Sequence, residues 1–209
     1  MKETIRLTAA LTIICMIATV LLTYVNDLTK EPIAKAQALQ KAKALKQILP
    51  PFDNNPFDDA ITLKTSDGEF KILPGKQNNK IISVVISGYT MQGFSGKIEA
   101  MVGFDKNQNI TNIIITKHAE TPGLGTKVCN RKEQKTLNSL FSNKKITGIV
   151  PNKFLDQFNG RNLVTLTNKD KIKFDAISGA TVSSKAVVDA VSRIATEYLK
   201  YINKIGDVK

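Results

Sequence analysis

Residues 175–184 combine small side chains with several hydroxyl groups, and they read Asp-Ala-Ile-Ser-Gly-Ala-Thr-Val-Ser-Ser. Gly179 and Ala180 would let a large group approach the backbone, while Ser178 and Thr181 carry hydroxyls. An apolar stripe of helical period follows, so the stretch predicts a loop that leads into a helix N-terminus. The first turn of a helix has free backbone N–H groups and a partial positive charge, and both favour a phosphate. The pattern therefore indicates phosphate binding at this loop.

The elements that must position this loop are two strands before it and one helix after it. Residues 163–167 and 171–174 are predicted as short strands joined by a polar turn. The helix is expected over residues 184–201. On spacing alone a simpler interpretation stays open, in which one hydroxyl merely caps the helix, from Thr181, Ser183 or Ser184.

A second cluster of polar residues and glycines lies at residues 118–127, between a predicted strand and a predicted helix. It reads His-Ala-Glu-Thr-Pro-Gly-Leu-Gly-Thr-Lys and contains the only histidine of the chain. A carboxylate, a hydroxyl and exposed backbone N–H groups suit a flat, largely apolar ligand with hydrogen-bonding edges. The same pattern is also ordinary turn chemistry. Because no Ser-His-Asp or Cys-His arrangement is suggested, His118 is expected to be structural or solvated rather than catalytic.

The pattern Asp-x-x-Ser-Gly-Ala-Thr-x-x-Ser at residues 175–184 resembles the flavinylation motif of a known FMN-binding domain family. The family is shared by the G subunit of the Rnf electron transport complex and the C subunit of the sodium-translocating NADH:quinone reductase. Its last motif threonine, matched here by Thr181, carries FMN through a phosphoester bond. Glu-Thr-Pro-Gly-Leu-Gly resembles the family's second hallmark, a loop beside the bound FMN. The resemblance implies covalent FMN on Thr181, with further cofactor-binding residues Ser178, Gly179, Ala180, Glu120, Thr121, Gly123, Leu124 and Gly125.

A third match, Gly88-Tyr89 with residues 93–98, resembles the Gly-Tyr and Gly-x-Ile region of the family and bears on the fold more than on the site. The length of the chain favours the Rnf family member over the one in the quinone reductase. The resemblance then implies a membrane-anchored flavoprotein that relays electrons within an ion-translocating complex, as an electron carrier rather than an enzyme by itself. The implied partners are the other subunits of the complex, membrane lipid, and a flavin transferase that uses FAD as donor.

Residues 7–25 run without a charged side chain, which is long enough to cross a bilayer. A cleaved signal peptide is the competing interpretation, but no small-residue cleavage site follows Tyr24. Five lysines after the span outnumber Lys2 and Arg6 before it, so the positive-inside rule taken literally places the C-terminal domain in the cytoplasm. Long domains can cross regardless of charge. The resemblance instead implies a single-pass inner-membrane protein with its domain on the non-cytoplasmic, periplasmic side.

The chain is expected to divide into four parts, namely a polar head at residues 1–6, a transmembrane helix at 7–25, a stalk helix and linker at 26–51, and an FMN-binding domain at 52–209. In the stalk, Pro32 is expected near the start of a helix that Pro50 and Pro51 end.

The order of elements in the domain predicts an α+β fold, with helices packed on a mostly antiparallel sheet. Neighbouring strands joined by short turns favour the antiparallel arrangement. A helix is expected over residues 131–141. The candidate strands lie at residues 61–65, 69–73, 81–87, 96–104 and 110–117.

The net charge of +12, from 30 Lys and Arg against 18 Asp and Glu, could attract nucleic acid, acidic lipids or acidic proteins. The lysines are scattered and the sequence has no nucleic-acid-binding motif, so no nucleic-acid partner is expected. Cys15 and Cys129 would lie in different phases, and neither a disulfide nor a metal site is expected. The rival function is a non-redox, membrane-tethered basic module that binds an acidic partner, which leaves both motifs unused.

Overall fold

The computed structural model describes residues 1–131 and 149–206. The chain divides into two compact units, Met1–Ala42 and Lys43–Lys209. The helix expected over residues 131–141 lies, apart from Arg131, outside the described residues.

One continuous helix, α1 (Lys2–Ile48), replaces the predicted anchor and separate stalk helix. The segment between them contains no glycine, and Pro32 lies inside the helix, where it removes one backbone N–H donor. Within the described part of the chain, α1 is the one helix long and apolar enough to cross a membrane. Five of its threonine hydroxyls donate to the carbonyl four residues earlier, which leaves no unsatisfied hydroxyl at those positions. At 1.5 Å per residue its 47 residues extend about 70 Å.

Five antiparallel strands form a single sheet with the order β1-β2-β3-β4-β5. Each strand pairs with the next one along the chain because each connection is a short turn. This confirms the predicted α+β class and the five predicted strands, of which β2 and β3 are longer than expected. The strands are β1 (Ile61–Thr65), β2 (Gly68–Gln77), β3 (Lys80–Gly93), β4 (Gly96–Asp105) and β5 (Ile110–Lys117).

Among the described residues, three short helices and one long helix follow the sheet. They are α2 (Gly125–Cys129), α3 (Lys153–Asp156), α4 (Leu163–Leu166) and α5 (Thr181–Gly206). The predicted helix at residues 184–201 is present within α5, which begins three residues earlier.

The prediction of two strands before residues 175–184 is wrong. Of residues 163–167, the first four form α4. Of residues 171–174, Lys171 ends a 3₁₀ turn, Lys169–Lys171, and the other three are irregular. The side-chain oxygen of Asn162 accepts from the N–H of Val164 at 3.1 Å and caps α4. Asn168 caps the 3₁₀ turn in the same way, so asparagine capping outweighs the strand propensity of a short Val and Thr run.

The sheet buries apolar side chains on both faces because alternate residues of a strand point to opposite sides. One face, formed chiefly by β3 and β4, packs against α5. Its buried side chains include Ile86, Ile98, Val102 and Phe104, facing Val187, Val191 and Ile194. The opposite face is covered by the last residues of α1 and the residue after it, and this second cluster contains Ala44, Leu45, Ile48, Leu49, Leu73, Val85 and Met101.

Candidate functional site

Three separate segments of the second unit meet around a cavity of about 280 Å³. They are the β3–β4 turn, the loop between β5 and α2, and the first turn of α5. The volume lies near the lower end of the range for ligand pockets, which is about 300–1,000 Å³. The cavity is lined by Phe94, Glu120, Thr121, Leu124, Gly125, Gly179, Ala180, Thr181, Val182 and Ser183.

The loop before α5 is a tight turn. The N–H of Ala180 donates to the carbonyl of Ile177 at 2.9 Å, and the N–H of Ser184 donates to the carbonyl of Ala180 at 2.9 Å, which begins the helix. Gly179 has a φ of +76°, a backbone conformation that glycine adopts without strain. The N–H of Ile177 also donates to the Ser184 hydroxyl at 3.2 Å. These bonds tie the start of the loop to the first turn of the helix.

Thr181 is the first residue of α5, and its side chain is exposed at the cavity. Within residues 1–131 and 149–206 its hydroxyl makes no hydrogen bond. The other two hydroxyls proposed as caps are used differently, because Ser183 donates to Glu120 and Ser184 accepts from the N–H of Ile177. The Thr181 hydroxyl is therefore available for chemistry.

Glu120 is a buried carboxylate, only 4% exposed, at the wall of the cavity. Its Oε1 accepts from the backbone N–H of Ser95 at 3.2 Å, and its Oε2 accepts from the hydroxyl of Ser183. A Cβ added at Gly93 would lie 2.6 Å from Oε1, and one added at Gly125 would lie 2.5 Å from Oε2. The two glycines thus leave room for the carboxylate.

The rest of the Glu120 loop closes on itself. The carbonyl of Thr121 accepts from the N–H groups of Leu124 and Thr126, both at 3.3 Å. The N–H of Gly123 donates to the Thr126 hydroxyl at 2.9 Å, and Gly123 has a φ of +80°. This closure holds Thr121 and Leu124 at the cavity while Gly123 lies off its lining.

His118 supports the loop from outside the cavity lining. Its Nδ1 accepts from the backbone N–H of Glu120 at 3.2 Å, and its Nε2 lies 2.7 Å from Oδ1 of Asn130. With Nδ1 accepting from a backbone N–H, Nε2 is the nitrogen that can donate to the Asn130 oxygen. Both ring nitrogens are therefore occupied by structural hydrogen bonds.

Of the residues that the sequence singles out, the structure brings seven to the cavity and leaves Ser178 and Gly123 off its lining. Sequence reasoning missed Phe94, Val182 and Ser183 as lining residues. Phe94 is 69% exposed in the two-residue turn between β3 and β4. An aromatic residue in such a turn is a usable signal, since turns favour small and polar side chains.

The cavity has the features that an FMN group requires, judged on the described residues. Phe94, Leu124 and Val182 supply apolar walls for a flat ring. The first turn of the 26-residue helix α5 supplies backbone N–H groups for a phosphate. The Thr181 hydroxyl lies in this first turn, next to the wall residue Val182.

Comparison with known proteins gives two family matches. Residues 93–196 match the model of an FMN-binding domain, and residues 1–48 match that of an RnfG N-terminal region.

Individual proteins are similar over most of the chain. The G subunit of the ion-translocating oxidoreductase complex of Escherichia coli (strain K12) is 32% identical over 174 residues, which cover 81% of this chain and 78% of that protein. The protein of the same name from Photorhabdus laumondii is 30% identical over 198 residues, or 92% and 88% of the two chains. The one from Haemophilus influenzae (strain 86-028NP) is 31% identical over 199 residues, or 93% and 89%.

Proposed function

The chain belongs to the family of RnfG proteins, the G subunits of ion-translocating oxidoreductase complexes, and from this premise we propose that it relays electrons through FMN held covalently on Thr181. The observation that carries the proposal is the Thr181 hydroxyl at the first turn of α5, which has no hydrogen-bond partner among the described residues and lies on the wall of a cavity with apolar sides. A threonine that only capped the helix would have its oxygen bonded to a backbone N–H.

Attachment requires a nucleophile that can reach a phosphorus atom. In the proposed attachment, which a flavin transferase would catalyse with FAD as donor, Thr181 Oγ would attack the phosphorus of the FMN half. The Oγ–P bond would form as the P–O bond of the pyrophosphate breaks, AMP would leave, and the hydroxyl proton would pass to a base of the transferase. The N–H groups at the start of α5 would hold the phosphate, which their partial positive charge stabilises.

The residues of this chain bind and orient the cofactor rather than transform a substrate. Bound FMN supplies the electron chemistry, one or two electrons at a time. Phe94, Leu124 and Val182 would cover the ring and exclude water, and Gly179 would let it approach the backbone.

The site is proposed to work at a membrane, among other subunits of the complex. The α1 helix anchors the chain in the inner membrane, with the domain on the non-cytoplasmic side and lipid around the span. Outside the cytoplasm no pool of free FMN would replace a lost cofactor, and a phosphoester removes the dissociation step. Covalent attachment is therefore consistent with that location.

The test is to produce the full chain beside an active flavin transferase, with Thr181→Ala for comparison. Peptide mass spectrometry of the native chain should find FMN less one water on the peptide that contains Thr181. The Thr181→Ala chain should lack flavin and melt at the same temperature as flavin-free native chain, because the hydroxyl it removes has no partner among the described residues. Thr181→Ser, which keeps a hydroxyl, should still accept flavin.

Two results would contradict the proposal. A native chain without flavin would favour the non-redox basic module, whose support is the net charge of +12. A Thr181→Ala chain that fails to fold would favour a capping role for the threonine.

A further inference from the structure

We propose that Glu120 is a positioning residue for flavin attachment, because its carboxylate joins the first turn of α5 to the other two segments of the cavity. The inference rests on the proposed function, since it concerns how Thr181 is presented to the flavin donor. Glu120 acts through Ser183 and need not touch the flavin.

The three segments meet at one carboxylate. Oε1 receives the Ser95 N–H from the β3–β4 turn, Oε2 receives the Ser183 hydroxyl from α5, and Glu120 itself belongs to the loop after β5. Each oxygen accepts one hydrogen bond, so the carboxylate is held at two points.

The backbone around Glu120 leaves space for this arrangement. Any side chain at Gly93 or Gly125 would place its first carbon within 2.6 Å of a carboxylate oxygen. A Cβ at Gly125 would also lie 2.6 Å from the Ser183 hydroxyl oxygen. The β3–β4 segment and the loop before α2 thus have a glycine, Gly93 and Gly125, where each approaches the carboxylate. The position of Glu120 therefore depends on both segments.

The position of the Thr181 hydroxyl depends on the backbone that carries it. Its own oxygen has no partner among the described residues, so only the first turn of α5 fixes it. That turn is held at Ser183 by Glu120 and at Ser184 by the N–H of Ile177. Removing the Ser183 contact frees the side of the turn that faces the cavity. A displacement of about 1 Å at a reacting group can slow a reaction by about 100-fold.

A matched pair of serines on α5 separates positioning from simple stability. Ser183 and Ser192 are both buried and each donates one hydrogen bond, Ser183 to Glu120 and Ser192 to the carbonyl of Thr167 at 3.3 Å. Ser192 borders a different, polar cavity of about 530 Å³. Ser183→Ala should therefore affect attachment, whereas Ser192→Ala should affect stability alone.

The measurement is the rate of flavin attachment to flavin-free full chain in detergent, with FAD and transferase, followed by in-gel flavin fluorescence. We expect Ser183→Ala to lower kcat about tenfold or more while KM for the chain stays within about twofold. Ser192→Ala should leave both constants within about twofold of the native values. Melting temperatures of all variants are recorded alongside.

A second matched pair changes the carboxylates. Glu120→Gln keeps an oxygen for the Ser95 N–H, and its amide can donate to the Ser183 oxygen, so attachment should stay well above that of Glu120→Ala. Asp189 is the buried counterpart on α5, where it accepts from the Thr90 hydroxyl at 2.7 Å. Asp189→Asn and Asp189→Ala should leave the attachment rate unchanged.

The outcomes distinguish this inference from the function it rests on. If the native chain takes no flavin, both fail. If the native chain takes flavin and Ser183→Ala matches Ser192→Ala at equal melting temperature, only the role of Glu120 is overturned. If Ser183→Ala does not fold, the decision passes to the carboxylates, and equal rates for Glu120→Gln, Glu120→Ala and Asp189→Ala would overturn the inference.

Discussion

Cys129, at the end of α2, shows how burial near the site changes an ionisable residue. Its side chain is 2% exposed, and burial, with the charge of Glu120, raises the pKa of the thiol to about 12. A free thiol ionises near pH 8.5. Between these values the unfolded chain has lost a proton that the folded chain keeps. The stability contributed by this thiol is therefore complete below about pH 8.5 and is lost as the pH rises towards 12.

We expect the free energy of unfolding of the native chain, relative to Cys129→Ala, to fall by up to about 1.4 kcal/mol per pH unit above about pH 9. Urea unfolding of both full chains in detergent at pH 8, 9.5 and 10.5 measures it. Lysines and tyrosines that titrate in the same range are common to both chains and cancel in the difference. A difference that does not change with pH would show that the folded thiol ionises normally.

Phe94 is the apolar wall residue that the sequence motif did not assign to the site. We expect Phe94→Ser to increase the fluorescence of the attached flavin and its quenching by iodide, because an aromatic side chain over the ring shields it from solvent. The melting temperature should change little, since Phe94 is 69% exposed.

Met91→Ser is the matched control for Phe94. Met91 is 62% exposed on the adjoining strand β3 but does not line the cavity. If both substitutions give the same fluorescence and quenching, Phe94 does not cover the ring.

Individual site residues were predictable only where a motif pointed at them. The sequence placed Thr181 and Glu120 in two loops, and the structure brings both loops to one cavity. It did not predict the Glu120–Ser183 contact, because the two residues are 63 positions apart and no local pattern encodes such a pair. Ser178 and Gly123 remain predicted cofactor-binding residues, although neither lines the cavity.

At the scale of elements, β1 to β5 were predictable because alternating apolar residues and short turns agree at every step. The structure of residues 162–174 was not predictable in this way, because the segment contains short runs with β-branched side chains, which suggest strands. Two asparagine side chains, Asn162 and Asn168, decide its structure by capping helical turns. In runs as short as four residues, a side-chain cap can outweigh strand propensity.

The end of α1 bears on where the FMN-binding domain begins, which the sequence predicts at residue 52. Leu45 and Ile48 pack in the cluster that covers Val85 and Met101 on one face of the sheet. A fragment of residues 52–209 would expose that face. We expect it to melt lower and to aggregate more than a fragment of residues 43–209, by light scattering and thermal unfolding.

Leu45→Ala in the longer fragment is the companion test. Leu45 is 2% exposed, and deleting a buried leucine side chain costs about 2–5 kcal/mol. Equal stability of the two fragments would mean that the sheet does not need this cover and that the domain begins where the sequence predicts.

At the scale of the whole molecule, the distribution of charge and the proposed location disagree. The five lysines that follow the span outnumber Lys2 and Arg6, which precede it. We expect alkaline phosphatase fused after Lys209 to be active and the same enzyme fused before Met1 to be inactive, because a long domain can cross despite its flanking charges. A fluorescent cytoplasmic reporter that matures at the C-terminus would instead support the literal charge rule.

The cavity also bears on the order in which the chain folds and receives its flavin. Its walls come from position 94, from residues 120–125 and from residues 179–183, so a chain that has not yet folded has no cavity to offer. A transferase that requires this shape would act last, after folding and, if the domain crosses the membrane as proposed, after translocation. The yellow absorbance of attached flavin would then measure folded chains only, and no flavin would be attached to chains that are degraded before they fold.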